Sequence, residues 1–262
     1  MKNKPGTILT LFIITVTITL MSCNTRRKMI IPEHAKTVIS VMKFEDRSIN
    51  TNQYNPWRMG IPDMIMESLS IVPFFRVISR DYLINRVLKE QEFQLLGATD
   101  PTSAVKMGNM LNAQYMVIGS FSVFKKTLFI NAKVLSVKTG EIKYQTSAKG
   151  LVDSFYTLQN QIALDITKGL QVALTKETEQ KVLSRYDTKI VNASLANYKG
   201  EGQIENIAVL KSVKAEEGSL RKINELKKEA KINFKKALKY DAKYRKAKEN
   251  LGKMGLGIPM TL

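Results

Sequence analysis

Apolar residues recur with two different spacings along the chain, and each spacing predicts a different kind of element. Apolar and polar residues alternate, with many β-branched side chains, in five stretches that predict strands, at 37–44, 74–78, 115–124, 128–137 and 141–149. Apolar residues three and four positions apart predict four helices, at 60–72, 81–92, 100–111 and 154–174. The order of these elements predicts an α/β (α+β) domain in which helices flank a mixed β-sheet.

Local signals predict where several of these elements end. Asp100 stands directly before Pro101, which is the arrangement of an N-cap residue and a first helical position. Pro73 ends the first helix because proline cannot continue a helical turn. Lys125 and Lys126 predict a tight turn between the third and fourth strands.

The C-terminal part of the chain predicts basic helices. Residues 219–253 hold 13 Lys and Arg against 4 Asp and Glu. The stretch 229–241 resembles the second helix of a tetratricopeptide repeat, 193–201 resembles a degenerate first helix, and Tyr244 and Ala247 resemble part of a following repeat. We expect a C-terminal α-helical hairpin. It packs on the preceding domain, docks a partner helix in its groove, or forms a plain helical appendage.

The first 22 residues have the three-part layout of a secretory signal. Lys2 and Lys4 give a positive start, residues 8–20 carry no charge, and the sequence Leu-Met-Ser-Cys follows. This ending resembles a bacterial lipobox, which implies cleavage between Ser22 and Cys23 and acylation of the Cys23 thiol, for example with palmitate. Two other interpretations stay open: a transmembrane helix, for which the run is shorter than the required length of about 20 residues, and a plain signal peptide with an incidental cysteine.

Composition excludes several kinds of chemistry. The chain has 262 residues, of which 44% are hydrophobic and 24% are charged, as in an ordinary globular protein. It contains one histidine and one cysteine, too few for a Cys/His zinc site or a disulfide framework. We therefore expect a protein that is not an enzyme, with no catalytic residues, no cofactor and no metal site.

The excess of positive charge indicates an anionic partner without naming one. Lys and Arg number 41 against 23 Asp and Glu, which gives a formal net charge of +18 at pH 7. A basic helix often binds nucleic acid, but an exported lipoprotein does not meet nucleic acid, so we expect no such partner. Anionic lipid, lipopolysaccharide, an acidic protein and a merely solvated lysine face remain as alternatives.

Residues 79–119 carry an ordered series of short motifs. A helix ends in Leu-x-Glu-Gln, a glycine and Asp-Pro follow, and a second helix leads into a strand that ends in Gly-Ser. This series resembles the core of the CsgG-like family, the family of the curli secretion component, and the resemblance extends over about residues 37–175. The positions that carry it are Leu88, Glu90, Gln91, Gly97, Asp100, Pro101, Ala104, Gly108, Ala113, Tyr115, Gly119 and Ser120, with 41–48 before them and 139–142 after them.

The chain also departs from the pore-forming members of that family, which carry two long inserted hairpins. Here 119–131 leaves room for a short turn only, and 144–154 is a direct run. The resemblance therefore implies the soluble domain alone, as in relatives that bind other envelope proteins. It implies a non-enzymatic envelope accessory protein that binds or scaffolds another envelope protein, with a possible homo-oligomer. The alternative is a subunit or companion of a CsgG-type export channel.

These signals divide the chain into four segments. We predict a lipoprotein signal peptide at 1–22, a lipidated tether at 23–36, a CsgG-like α/β domain at 37–175 and a basic, tetratricopeptide-like helical region at 176–262. Cys23 is followed by Asn24 rather than aspartate. By the sorting rule of enteric bacteria, this predicts an outer-membrane lipoprotein that faces the periplasm.

Overall fold

The computed structural model of the chain describes residues 31–49, 53–212 and 217–255. The elements in these ranges all lie in one compact unit, Glu33–Leu262. The strands are β1 (Thr37–Val41), β2 (Glu45–Asp46), β3 (Phe75–Val77), β4 (Tyr115–Phe124), β5 (Thr127–Ser136) and β6 (Ile142–Leu151). The α-helices are α1 (Trp57–Leu69), α2 (Arg80–Lys89), α3 (Pro101–Met110), α4 (Phe155–Gly169), α5 (Lys176–Leu183), α6 (Val191–Ser212), α7 (Glu217–Tyr240) and α8 (Arg245–Gly255).

The strands form one mixed sheet in the order β3-β1-β4-β5-β6, with β2 beside β4. β1 pairs in parallel with β3 and β4, and β4, β5 and β6 pair antiparallel. A two-residue turn at Lys125 and Lys126 joins β4 to β5, as the sequence predicts. The predicted fold class is confirmed: helices flank a mixed sheet, and a C-terminal helical segment follows.

Alternate side chains of the central strands enter two separate apolar clusters, one on each face of the sheet. Ile39 and Val41 of β1 pack with α1 and α4. Val38 of β1 and Met42, just after it, pack with α2 and α3. Alternate side chains of β1 therefore enter different cores, because successive side chains of a strand point to opposite faces of the sheet.

The boundaries of several helices differ from the predicted ones by one to five residues, as at α1 and α4. α1 starts at Trp57, three residues before the predicted start. The Trp57 ring is fully buried and stacks on Phe155 with 5.2 Å between the centroids. α4 ends at Gly169, five residues before the predicted end, and Gln171 soon after it has a φ of 59°, which a right-handed helix does not allow.

Helix α3 begins as predicted. The Asp100 carboxylate accepts a hydrogen bond from the Ser103 backbone N–H at 2.9 Å, and Pro101 occupies the first helical position. The side chains of Ala104, Met107 and Leu111 are buried on one side of this segment. The capping and spacing signals of the sequence therefore suffice for this helix.

The C-terminal helices pack on the α/β domain through α6. A Cβ atom on Gly60 in α1 would lie 2.6 Å from Cδ2 of Tyr198 in α6, and the Trp57 indole N–H donates to Ser194 Oγ at 3.1 Å. The first of the three alternatives for this region, packing on the preceding domain, is therefore the observed one. The domain boundaries drawn from the sequence, and the likeness to tetratricopeptide repeats, stay predictions.

Candidate functional site

The site residues predicted from the sequence, Ser22 and Cys23, lie outside the described residues, so cleavage and acylation there stay predictions. Among the residues that are described, no group of three or more His, Cys, Asp or Glu side chains could hold a metal ion. Within the same residues, no helix combines the length and the apolarity needed to cross a bilayer. The candidate functional features of the described residues are exposed surfaces and buried charge networks.

One face of β6 is solvent-exposed while the other packs on α4. On the packed face, a Cβ atom on Gly169 would lie 2.2 Å from the Tyr144 ring, and Thr146 Oγ1 donates to Asp165 Oδ2 at 2.9 Å. The residues that alternate with these are all exposed. They are Gln145, Ser147, Lys149 and Leu151, and Leu151 is 61% exposed.

The exposed face continues across β5 to the end of β4. Strand register places Phe129 opposite Lys149 and Asn131 opposite Ser147. The Lys149 Nζ lies 5.3 Å from the centroid of the Phe129 ring, a cation–π distance. We call this exposed area the sheet surface, and we define it as Phe124, Phe129, Asn131, Lys133, Gln145, Ser147, Lys149 and Leu151.

β6 is also an edge strand. It is ten residues long and is the last strand of the sheet order, paired on one side with β5. Among the described residues, no strand pairs with its outer side. A long unpaired edge presents backbone N–H and C=O groups to which another polypeptide segment can pair. The sheet surface and this edge therefore adjoin one another on the same strand.

A buried charge network holds α8 against α1 and α6. The Lys246 ammonium of α8 forms ion pairs with Asp63 and with Glu67, the latter at 3.0 Å.

Two carboxyl groups of this network have raised pKa values. Burial raises the pKa of Glu67 to about 8, and the negative charge of Asp187 also raises it. Burial also raises the pKa of Glu201 to about 7, although its carboxylate accepts hydrogen bonds from Asn197 and Asn250. The attachment of α8 therefore depends on groups that titrate near neutral pH.

A second buried network joins α6 to the start of α2 and the end of β1. Glu205 of α6 pairs with Lys43 Nζ at 2.5 Å and with Arg80 Nη2 at 3.1 Å. The Glu205 and Arg80 side chains are both almost fully buried. Burial lowers the pKa of Lys43, and the charge of Glu205 opposes this shift. Glu205 therefore supplies one negative charge between two largely buried cations.

Helix α7 presents lysines to solvent along its side remote from α6. Ile223, Leu226, Phe234 and Ala237 are buried against the rest of the protein. The exposed side carries Lys228, Lys231, Lys235 and Lys239, which we call the lysine face. The sequence predicts the basic helix but not this orientation, which depends on the packing of α7 on α6.

The buried networks were not predicted from the sequence. Lys246 and Asp63 are 183 residues apart, and Glu205 lies in a segment that the sequence leaves without an assigned element. The sheet surface did have a signal, since polar residues alternate along 145–149 within the predicted fifth strand. This alternation predicts a strand with one polar face, but it does not show whether another part of the chain covers that face.

Comparison with known families places this geometry in context. Residues 27–128 match the family model described as "Curli production assembly/transport component CsgG". This segment is therefore similar to the CsgG family. The resemblance carried by the motifs at 79–119 is thus confirmed. The match ends in β5, so most of the sheet surface and all of the C-terminal helices lie beyond the matched segment.

Three solved structures align with about half of the chain at low similarity. The LpoB C-terminal domain from Salmonella enterica is 17% identical, with a TM-score of 0.37, and the alignment covers 52% of this chain and 92% of that chain. The PelC dodecamer from Paraburkholderia phytofirmans is 10% identical, with a TM-score of 0.35 and coverage of 53% and 91%. Lipoprotein GNA1162 from Neisseria meningitidis is 12% identical, with a TM-score of 0.34 and coverage of 52% and 99%. No curated protein matches the chain.

Proposed function

We propose that this chain is a non-enzymatic accessory lipoprotein of the cell envelope, and that it binds another envelope protein through the sheet surface and the adjoining edge of β6. The match of residues 27–128 to the CsgG family supports a role in the envelope. The secretory signal and the lipobox-like ending at Cys23 support a lipid anchor. We place the protein at the outer membrane, facing the periplasm, with acyl chains on Cys23 as its attachment.

The observation that carries the proposal is the uncovered state of β6 among the described residues. An edge of ten residues offers about 33 Å of backbone for strand addition. The neighbouring sheet surface combines exposed apolar side chains, such as Leu151 and Phe124, with the cations Lys133 and Lys149. A partner with an extended segment bearing apolar and acidic side chains fits this combination. Main-chain hydrogen bonds supply affinity, and the exposed side chains supply specificity.

Site-specific photocrosslinking in native envelopes tests this proposal. A photoreactive amino acid in place of Ser147 should form one discrete adduct, whose second component is an envelope protein identified by mass spectrometry. The control replaces Gln180, which is exposed on α5 away from the sheet surface. No adduct from position 147, or the same adduct from both positions, contradicts the proposed surface.

A double substitution at Lys149 and Leu151 tests whether these two side chains contact the partner. Leu151→Asp combined with Lys149→Glu should abolish the adduct formed from position 147, since it reverses one charge and removes one apolar anchor. Lys176→Glu on α5 changes one exposed charge elsewhere and should leave the adduct in place. Both variants must retain the wild-type melting temperature for the comparison to hold.

The second candidate function is a subunit or companion of an export channel. The matched family, which is that of an assembly and transport component, favours it. Light scattering on the full-length protein in mild detergent separates the two candidates. A closed ring of many subunits supports the channel function, whereas a monomer or dimer contradicts it and leaves the accessory role.

A further inference from the structure

We propose that the lysine face of α7 is a binding site for an anionic membrane surface, where it engages the phosphate groups of lipid headgroups. This site is separate from the sheet surface, and it is carried by different residues. Lys228, Lys231, Lys235 and Lys239 follow one another at intervals of three or four residues, so they lie along one side of the helix. They span about 16 Å along its axis.

The charge of this face is not neutralised within the described part of the protein. None of the four lysines forms an ion pair there. The acids next to them on α7 have other partners: Glu225 pairs with Arg221 and Lys222, and Glu229 accepts a hydrogen bond from Gln203. Four neighbouring cations that form no ion pair among the described residues create a positive field that attracts a surface of many negative charges.

An exposed apolar side chain lies among these lysines. Ile232 is 54% exposed, and it stands four residues after Lys228 and three before Lys235. An isoleucine has no favourable interaction with water at such a position. In contact with a bilayer, the same side chain can enter the boundary between headgroups and acyl chains while the lysines contact phosphates.

The packing of α7 determines the depth of this contact. Its apolar side is occupied within the protein: a Cβ atom on Gly200 of α6 would lie 2.6 Å from the Phe234 ring, and Ala237 is fully buried. The helix therefore cannot turn its apolar side to the membrane without leaving α6. The lysine face therefore contacts the headgroups while α7 stays packed on α6. A free amphipathic helix differs, because it embeds its apolar stripe in the bilayer.

The length of the predicted tether agrees with such a contact. This step depends on the anchor of the proposed function, whereas the charge and exposure of α7 do not. Nine residues lie between Cys23 and Glu33, where the compact unit starts, so the ten Cα–Cα steps that join the two residues extend at most about 35 Å. An anchored domain on so short a tether stays close to the headgroups. The anionic membrane surface is therefore nearer to α7 than an acidic protein in free solution is.

Fluorescence on vesicles tests the inference with the full-length protein. An environment-sensitive fluorescent amino acid replaces Ile232, and the protein is added to vesicles of phosphatidylcholine with or without phosphatidylglycerol. We expect a blue shift and quenching by brominated lipids with the anionic vesicles alone, reversed by high salt because screening weakens the attraction. The same signal on both kinds of vesicle, or on neither, overturns the inference.

A matched pair of variants shows whether the position of the lysines matters. Changing Lys228, Lys231, Lys235 and Lys239 to Gln should weaken binding to the anionic vesicles by about tenfold or more. The control changes four exposed lysines elsewhere to Gln, namely Lys89, Lys126, Lys138 and Lys176, and thus has the same net charge. Equal losses in the two variants contradict a specific face. A signal obtained with added polyglutamate but not with anionic vesicles indicates an acidic protein partner instead. Crosslinking at position 147 is independent of all these outcomes.

Discussion

The ring of Tyr198 occupies the space where a side chain on Gly60 would lie. A Cβ atom on Gly60 would be 2.6 Å from Tyr198 Cδ2, and Tyr198 is almost fully buried. This contact joins α1 of the sheet domain to α6 of the C-terminal helices. Glycine is required here by the closeness of the two helices, not by its backbone conformation.

Gly60→Ala should therefore destabilise the protein, by about 1–3 kcal/mol, since a methyl group overpacks this contact. Urea unfolding measured by circular dichroism gives the free energy of unfolding. Gly202→Ala is the control: its Cβ would lie 3.6 Å from Met59 Sδ, an ordinary contact, and alanine has the higher helix propensity. Equal stability of Gly60→Ala and wild type would show that α6 does not pack so closely on α1.

Glu205→Gln should destabilise the protein by about 3–5 kcal/mol because it leaves the buried cations Lys43 and Arg80 without a counter-charge. Glu225→Gln serves as the control, since that carboxylate is exposed and its ion pairs contribute less than about 1 kcal/mol. Thermal unfolding of both variants provides the comparison. A loss in Glu205→Gln no greater than in the control contradicts the structural role of this network.

Stability should fall as the pH rises from about 4.5 to about 7, through the titration of Glu201. Burial raises the pKa of Glu201 from its ordinary 4.5 to about 7 in the folded protein, so the folded state holds this proton more tightly than the unfolded state does. The contribution of the protonated form is fully present below about pH 4.5 and is lost as the pH passes through 7.

Glu201→Gln removes this contribution while keeping an oxygen that accepts hydrogen bonds from Asn197 and Asn250. The variant should be more stable than wild type at pH 8, by on the order of 2 kcal/mol, and the difference should shrink at pH 5. Denaturant unfolding across this pH range measures both proteins. The exposed Glu249→Gln should retain the wild-type pH profile, and parallel profiles for wild type and Glu201→Gln would refute the assignment.

Cys23→Ser should abolish incorporation of labelled palmitate, because the hydroxyl of serine does not replace the thiol in lipoprotein acylation. The precursor should accumulate uncleaved, and its mobility on a denaturing gel shows this. Ser22→Ala keeps a small residue before the cysteine and should still be labelled. Labelling of the Cys23→Ser variant would exclude Cys23 as the attachment site.

The parts of the fold that follow from local chemistry could be predicted. Asp100 caps α3 and Lys125–Lys126 turns β4 into β5, each through an interaction between neighbouring residues. α6 could not be predicted in the same way, since it is buried on several sides. Consecutive residues from Ala193 to Tyr198 are all buried, so its apolar positions form no single stripe and show no helical period. The pairing of Lys246 with Asp63 depends on tertiary structure alone.

One register of self-pairing at the unpaired edge of β6 brings like charges together. If two copies of the protein joined their β6 edges antiparallel, with the symmetry axis at Thr146, Lys143 of each copy would lie opposite Lys149 of the other. Like charges directly opposite one another in adjacent strands are destabilising. The edge thus disfavours this pairing with itself and remains open to a strand that carries acidic side chains at those places.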